Sequence, residues 1–398
     1  MKFVTRLIDG VDDPLRWDPT AVWMSPEISL WGWGEAARID PGPGEGRFEA
    51  IVREFRRLLA EADVEDPLGL EGTGPVVFAS AAFADGSPSS VAAIPEVLLG
   101  RRHDAWFLTT VDGAELPDVA TPEPATDRAR FAGSSVPDVL WLEAVADAVR
   151  RIDAGELDKV VLARDYAVWS RERFHPPRIL RHLLDRFPTC FVFRVVDLVG
   201  ASPELLARRR GTSFESLVLA GSAPRHADPV ADAAAGEGLL DSDKDQWEHA
   251  LAVRSVRSSL EGVCDDPTIP GEPRLVRLDN VQHLATPVAG RVGDGIDVLG
   301  LAARLHPTAA VGGTPTQKAV ALIAEIEGMD RGRYAGPVGW MDGRGDGEFA
   351  IALRCAELSG ARARLFAGAG IVTGSLPEAE LEETRIKLKA MMGSLRAS

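Results

Sequence analysis

The run "SDKDQWEHALAVRSVRSSLEG" has helical spacing and carries carboxylates on the face that must be buried. Ala252, Val256 and Leu260 form an apolar row at intervals of four, and counting back by four from Ala252 reaches Glu248. Asp245 lies one turn earlier on the same side. A carboxylate on an inward face is costly unless a cation or hydrogen bonds compensate it. A second helix, near the C-terminus, repeats the pattern. Leu381, Thr384, Leu388, Met391 and Leu395 recur at spacings of 3, 4, 3 and 4, which is one buried stripe. Glu380, Glu383 and Lys387 sit on its flank. Taken alone, Glu383 and Lys387 are an i,i+4 pair on a solvated face, worth about 0.2–0.5 kcal/mol. Two such helices, with no metal-spaced His or Cys, point instead to a hard cation that prefers oxygen. Mg²⁺ fits best, because it keeps positions open for water and substrate oxygens. A buried salt bridge to one of the arginines is the competing reading of the same spacing.

Two further residues could move protons. Lys159 opens the strand pattern "KVVLARDYAVW", on the same side as Val161 and Ala163. At a sheet edge it would snorkel to water; in a partly desolvated pocket a lysine can serve as a base. Glu204, in "GASPELL", reads either as an ordinary glutamate favoured by a following helix N-terminus or as a carboxyl that an apolar site keeps protonated for acid work. The glycines of "FAGAGIVTGS" (Gly368, Gly370 and Gly374) are not a dinucleotide fingerprint. Their spacing fails, and the residues after them read as a turn and one helix rather than a second strand.

The elements that must position these residues can be read coarsely. "VPDVLWLEAVADAVRRIDAGE" is a helix ending near Gly155, and "PTQKAVALIAEIEG" is another. Ser242 is a plausible N-cap for the helix carrying Glu248, and the last helix begins at about 377. "DKVVLARDYAVW" and "CFVFRVVDLVG" read as strands, and "GEFAIALRCAEL" with "ARARLFAGAG" as a strand pair joined around Ser359 and Gly360. Before about 130, "GPVVFASAAF" and "DAWFLTTV" read as strands, with "PGPGEG" and "TPEPATDR" as exposed connections. Strands interrupted by long helices, with hairpins present, favour a mixed or antiparallel α/β architecture.

Composition narrows the partners. The 398 residues carry a net charge of −16, which disfavours nucleic acid. A small anionic substrate remains compatible if the pocket supplies its own cations. Three scattered cysteines, Cys190, Cys264 and Cys355, make no disulfide framework and suit a reducing cytoplasm. The first residues lack the apolar run of a signal peptide, and no stretch is apolar enough for a membrane span. No interface stripe is evident, so a monomer is expected.

The blocks "LDKVVLAR", "GASPELL", "LAGSAPR", "SDKDQWEHALAV", "VQHLATPVAG", "LHPTAAVGG", "RGRYAGPVGW", "FAIALRC", "FAGAGIVTGS" and "ELEETRIK" succeed one another in that order. Together, over about 137–396, they resemble the chorismate-utilising enzymes: isochorismate, salicylate, anthranilate and aminodeoxychorismate synthases. The resemblance implies a single catalytic unit of large antiparallel sheets packed with helices, with residues 1–135 completing the sheets and 136–398 forming the chorismate-binding core. It also implies that Glu248 and Glu383 hold Mg²⁺, with Asp245 and Glu380 as outer carboxylates. Tyr334, Arg354 and Lys387 would bind the carboxylates of chorismate. Gly221, Ser222, Gly368 and Gly370 would offer backbone N–H groups, and His283 and Ala310 would line the substrate.

Lys159 and Glu204 select the branch of the family. In isochorismate synthases the lysine of this block activates water to attack C2, and the glutamate protonates the departing C4 hydroxyl. Members that use ammonia lack the lysine. Salicylate-forming members resemble one another in having threonine at the place of Ala310. The resemblance therefore implies an isochorismate synthase feeding menaquinone or catechol siderophore synthesis. A salicylate synthase is the alternative, and a non-catalytic paralogue a remoter one. Two departures stand out: Ser222 where threonine is usual, and Asp245 where many members have glutamate.

Overall fold

Alternation along the strands decides how the layers pack. In Ala21–Met24, Ile28–Trp33 and Phe191–Val195, Trp23, Leu30 and Phe193 enter one core while Val22, Trp31 and Val192 enter another. These strands therefore belong to a sheet buried on both faces. The computed structural model describes residues 1–119, 129–279 and 281–397, and among them it forms one 13-stranded and one 10-stranded sheet. The expected connection "TPEPATDR" (121–128) lies outside the described residues. The ladders are antiparallel, with Lys2–Ile8 beside Asp63–Glu65 as a parallel exception. The expected mixed architecture of large antiparallel sheets and packed helices is what the chain adopts.

The two sheets face each other across the first core. Trp23, Leu162 and Phe193 of the larger sheet meet Phe78, Phe214 and Phe349 of the smaller. On the outer face of the larger sheet, Val168, Val192, Val199 and Leu365 pack under the helices Pro176–Arg186 and Pro377–Ala397. The latter buries Leu381, Thr384, Leu388, Met391 and Leu395, the stripe expected from its spacing. Strands from the first third enter both sheets: Ala21–Met24 pairs with Phe191–Val195, and Val76–Ser80 with Pro337–Asp342.

Two apolar runs that read as single strands prove to be broken, and the breaks matter. "CFVFRVVDLVG" is a hairpin, Phe191–Val195 and Leu198–Ser202, turning at Val196 with φ of 59°. "GEFAIALRCAEL" supplies Gly347–Ile351 to the smaller sheet and Cys355–Ser359 to the larger. Leu198–Ser202 and Leu205–Arg210 divide in the same way. These two segments cross between the sheets side by side. Ile351 N–H donates to the Glu204 carbonyl at 3.1 Å, and Ala201 N–H to the Arg354 carbonyl at 3.2 Å. Glu204 and Arg354 thus sit at paired crossing points, where the backbone leaves regular pleating.

Candidate active site

The strand Lys159–Trp169 runs antiparallel to Arg362–Ile371, setting Gly370 opposite Val161 and Gly368 opposite Ala163. Lys159 is fully buried, so it does not snorkel, and its Nζ lies 2.9 Å from Glu248 Oε1. The facing glycines leave that space open. A Cβ at Gly370 would overlap Glu248 Oε1 and come within 3.2 Å of Lys159 Cε, and one at Gly368 would lie 3.2 Å from the Tyr334 hydroxyl. What the structure shows at these two positions is room for neighbouring side chains.

Glu248 is carried by the helix Asp243–Leu260. Ser242 caps it by accepting the Asp245 N–H at 3.3 Å, as its sequence anticipates. The next residue, His249, has a role that helical spacing does not reveal. Its Nδ1 lies 3.2 Å from the Ala220 carbonyl and its Nε2 2.7 Å from Thr286 Oγ1. Burial lowers its pKa to about 4, so the ring is neutral and ties the helix to the strand Ser213–Pro224. That strand bulges between Ala220 and Ser222, with Gly221 at φ of 76° beside Asp245. From the C-terminal helix, Glu383 receives Lys387 Nζ at 2.6 Å and Ser222 Oγ at 2.9 Å. Lys387 also donates to the Gly368 carbonyl at 3.0 Å. Glu380 is buried and paired with Lys244 at 2.8 Å. Burial would raise the Glu383 carboxyl, but Lys387, with hydrogen bonds from Lys387 and Ser222, holds it below its ordinary value.

Across the cavity the balance reverses. Glu204 is pushed up to about 8, because burial outweighs the Leu219 backbone hydrogen bond and the charges of Lys159, Arg354 and Lys387. Arg354 holds φ of 44°, a left-handed conformation that costs a non-glycine residue energy and persists where the surrounding structure over-determines it. Its Nη2 lies 2.8 Å from Nε2 of His283, whose Nδ1 faces the Gly221 carbonyl at 3.3 Å. Burial drives His283 well below its usual pKa, so it stays neutral beside the guanidinium. Among the described residues Arg354 Nε and Nη1 are buried without a partner. Buried donors left open at a cavity wall suit an anionic ligand. Tyr334 stacks on Phe366 with centroids 5.1 Å apart, and burial raises its hydroxyl pKa, so it remains a donor.

Glu204, Gly221, Ser222, Glu248, His283, Ala310, Tyr334, Arg354, Gly368, Gly370, Glu383 and Lys387 line one cavity. Lys159 reaches it through Glu248, while Asp245 and Glu380 lie outside the lining. The four carboxylates do not form a ready-made cluster: among the described residues no three His, Cys, Asp or Glu side chains are grouped to hold a metal. Three of them are instead each joined to a lysine. Their donor set is nonetheless all carboxylate oxygen, and burial and mutual repulsion raise Asp245 and Glu380. A cation taking Glu248 and Glu383 from the protein and the rest from water and substrate fits that set. Sequence reasoning missed the apolar wall of Val161, Leu219, Val311, Leu353 and Phe366, whose residues lie within the family-like blocks but carry no chemistry of their own. One of the two readings of Glu204, a glutamate before a helix N-terminus, does not hold, because the strand Leu205–Arg210 follows it. A wider groove of about 1010 Å³ lies elsewhere, but its Arg194 and Asp197 are already paired with Asp18 and Arg333. Open donors and a shifted carboxyl favour the smaller cavity.

Residues 114–396 match the family model described as "Chorismate binding enzyme". The chain is 37% identical over 422 residues to the salicylate biosynthesis isochorismate synthase of Pseudomonas aeruginosa, covering 97% of this chain and 88% of that protein. It is 41% identical to isochorismate synthase MenF of Bacillus subtilis, covering 94% and 87%. Among solved structures, the menaquinone-specific isochorismate synthase of Escherichia coli superposes with a TM-score of 0.83 at 25% identity, over 99% of this chain and 94% of that one. By family model, relatives and fold alike, the chain belongs to the chorismate binding enzymes.

Proposed function

We propose that this protein is an isochorismate synthase that converts chorismate to isochorismate with Mg²⁺. The observation that carries this reading is the presence, at one cavity with open cationic donors, of both a fully buried lysine and a glutamic acid held protonated near neutral pH. Lys159, in its neutral amine form, takes a proton from the water that attacks C2. Glu204 gives a proton to the C4 hydroxyl, which leaves as water while the ring double bonds shift. One water is gained and one lost, so the product is an isomer. Arg354, Tyr334 and Lys387 grip the substrate carboxylates, and Gly221, Ser222, Gly368 and Gly370 offer backbone N–H groups. Glu248 and Glu383 would hold Mg²⁺, with Asp245 and Glu380 orienting the site through water. When bound, the ion supplies positive charge against a substrate carboxylate.

Relatives named for menaquinone, salicylate and vibriobactin pathways support a consumer of isochorismate downstream, in menaquinone or catechol siderophore synthesis. Three unpaired buried cysteines support a cytoplasmic setting. Among the described residues no helix is long and apolar enough to cross a membrane. Incubating the pure protein with chorismate and Mg²⁺ and resolving the products chromatographically tests the reading. Isochorismate is expected. Stoichiometric salicylate and pyruvate would assign the chain to the lyase branch, and unchanged chorismate would remove the catalytic reading.

A further inference from the structure

The strand that carries Lys159 has one edge fully paired and one edge with a gap. Arg362–Ile371 pairs along its whole length. On the other edge, Lys159 and Val160 pair with Thr314 and Gly313, and Ala167–Trp169 pair with Arg130–Gly133. Val161 N–H still reaches the Gly312 carbonyl at 2.8 Å. Beyond it, side chains stand where a neighbouring strand would be. Arg331 Nη2 donates to the Val161 carbonyl at 2.7 Å, Glu327 Oε2 accepts the Ala163 N–H at 2.7 Å, and Trp141 Nε1 donates to the Ala163 carbonyl at 3.1 Å. Buried backbone groups must be satisfied, and here an ion pair does it.

The same guanidinium reaches a second wall. Arg331 Nη1 donates to the Val311 carbonyl at 2.9 Å. Glu327 holds the fork from behind, with Nε–Oε1 at 2.7 Å and Nη2–Oε2 at 2.6 Å, and both side chains are buried. Val161 and Val311 both line the cavity. One is two residues past Lys159; the other is next to Ala310. A buried ion pair is a poor stabiliser compared with apolar packing, but a planar fork fixes distances that apolar packing would leave loose.

We propose that Arg331, braced by Glu327, is a positioning residue that sets the separation between the strand bearing Lys159 and the loop bearing Ala310. This rests on the isochorismate synthase reading above. Arg331 does not touch the substrate. It holds the ring's two neighbours in register, so that water attacks C2 and the wall beside the ring stays in place.

Arg331→Lys keeps a positive charge on Glu327, but a single ammonium cannot span both carbonyls and both carboxylate oxygens. The variant is expected to fold and to keep KM for chorismate within about threefold, since Arg354, Tyr334 and Lys387 are untouched. A misplacement of about 1 Å can cost about 10²-fold, so kcat should fall by that order, with a larger share of turnovers releasing pyruvate. The double variant Glu327→Leu/Arg331→Met removes both charges and leaves neither stranded; it should show the same loss of kcat. A folded variant of either kind with wild-type kcat and product ratio, whatever its Tm, overturns the proposal. Failure of both to fold overturns it too, because the pair would then hold the fold rather than the site. The wild-type product assay judges the functional reading separately; the clamp is judged only by variant-to-wild-type ratios for whichever chorismate product forms.

Discussion

Glu204 and Glu383 are both glutamates facing one cavity, yet burial wins at the first and cations win at the second. Glu204 is buried in a cavity it shares with Pro203, Leu219, Leu353 and Phe366, and the cations act from a distance, so the carboxyl keeps its proton to about pH 8. Around Glu383 a lysine and a serine hydroxyl make direct hydrogen bonds, and the group is ionised. Identical side chains acquire opposite charge states from their neighbours alone, and the proposed duties of proton donor and anionic ligand follow from that difference.

The largest effect should come from the acid–base side of this contrast. Glu204→Gln and Lys159→Ala are each expected to bind chorismate while losing about 10²–10⁴-fold in turnover. Product formation within about threefold of wild type in either variant would strip that residue of its role. Next comes the ionised wall: Glu383→Gln should raise the Mg²⁺ needed for half-maximal rate by at least about tenfold, and an unchanged Mg²⁺ titration would mean the residue is not a ligand.

Stability should then move in the opposite direction from activity at Glu204. Its ordinary pKa is 4.5 and its folded value about 8. Between these limits the folded protein keeps a proton that the unfolded chain releases, so stability falls as pH rises through that window. Glu204→Gln lacks this slope. Its Tm advantage over wild type should grow from about pH 4.5 to about pH 8 and then level off, and parallel melting curves would show that the carboxyl is ionised in the fold. The smallest change is Ala310→Thr, which should lower isochorismate output and raise pyruvate release, read by a coupled lactate dehydrogenase assay. Unaltered partition would show that this wall does not set the product.

The contrast also shows what a sequence can carry. Glu248 was legible because helical spacing turns it inward, and Ser242 marked the start of its helix, whereas Glu383 reads from its own helix only as the flank of a buried stripe. Lys159 was legible as a strand residue, but its burial depended on a partner strand far along the chain. The surroundings of Glu204 were not legible. Its backbone lies at a crossing between sheets, and the apolar residues around it come from separate segments of the chain. The lysine on each of Glu248, Glu380 and Glu383 was likewise hidden in part. Glu383–Lys387 is local, while Lys159–Glu248 and Lys244–Glu380 join elements remote in sequence. Arg331 stood in view within "RGRYAG", yet its bond to Val161 spans 170 positions and no local pattern announces it.

That long-range pairing has a consequence during synthesis. Val160 must wait for Ile371, and Ala163 for Gly368, before the strand's fully paired edge exists. At about 5–20 residues per second, the interval is on the order of 10–40 s. Throughout it the nascent chain carries an apolar strand with unsatisfied backbone, the kind of edge that recruits other chains. Glu383 and Lys387 emerge later still, on the helix Pro377–Ala397. Until that helix has emerged the cavity lacks one of its walls, so the period of greatest aggregation hazard coincides with the period before the pocket exists. A ligand that fills the finished cavity should protect the mature protein while doing nothing for the chain still being made.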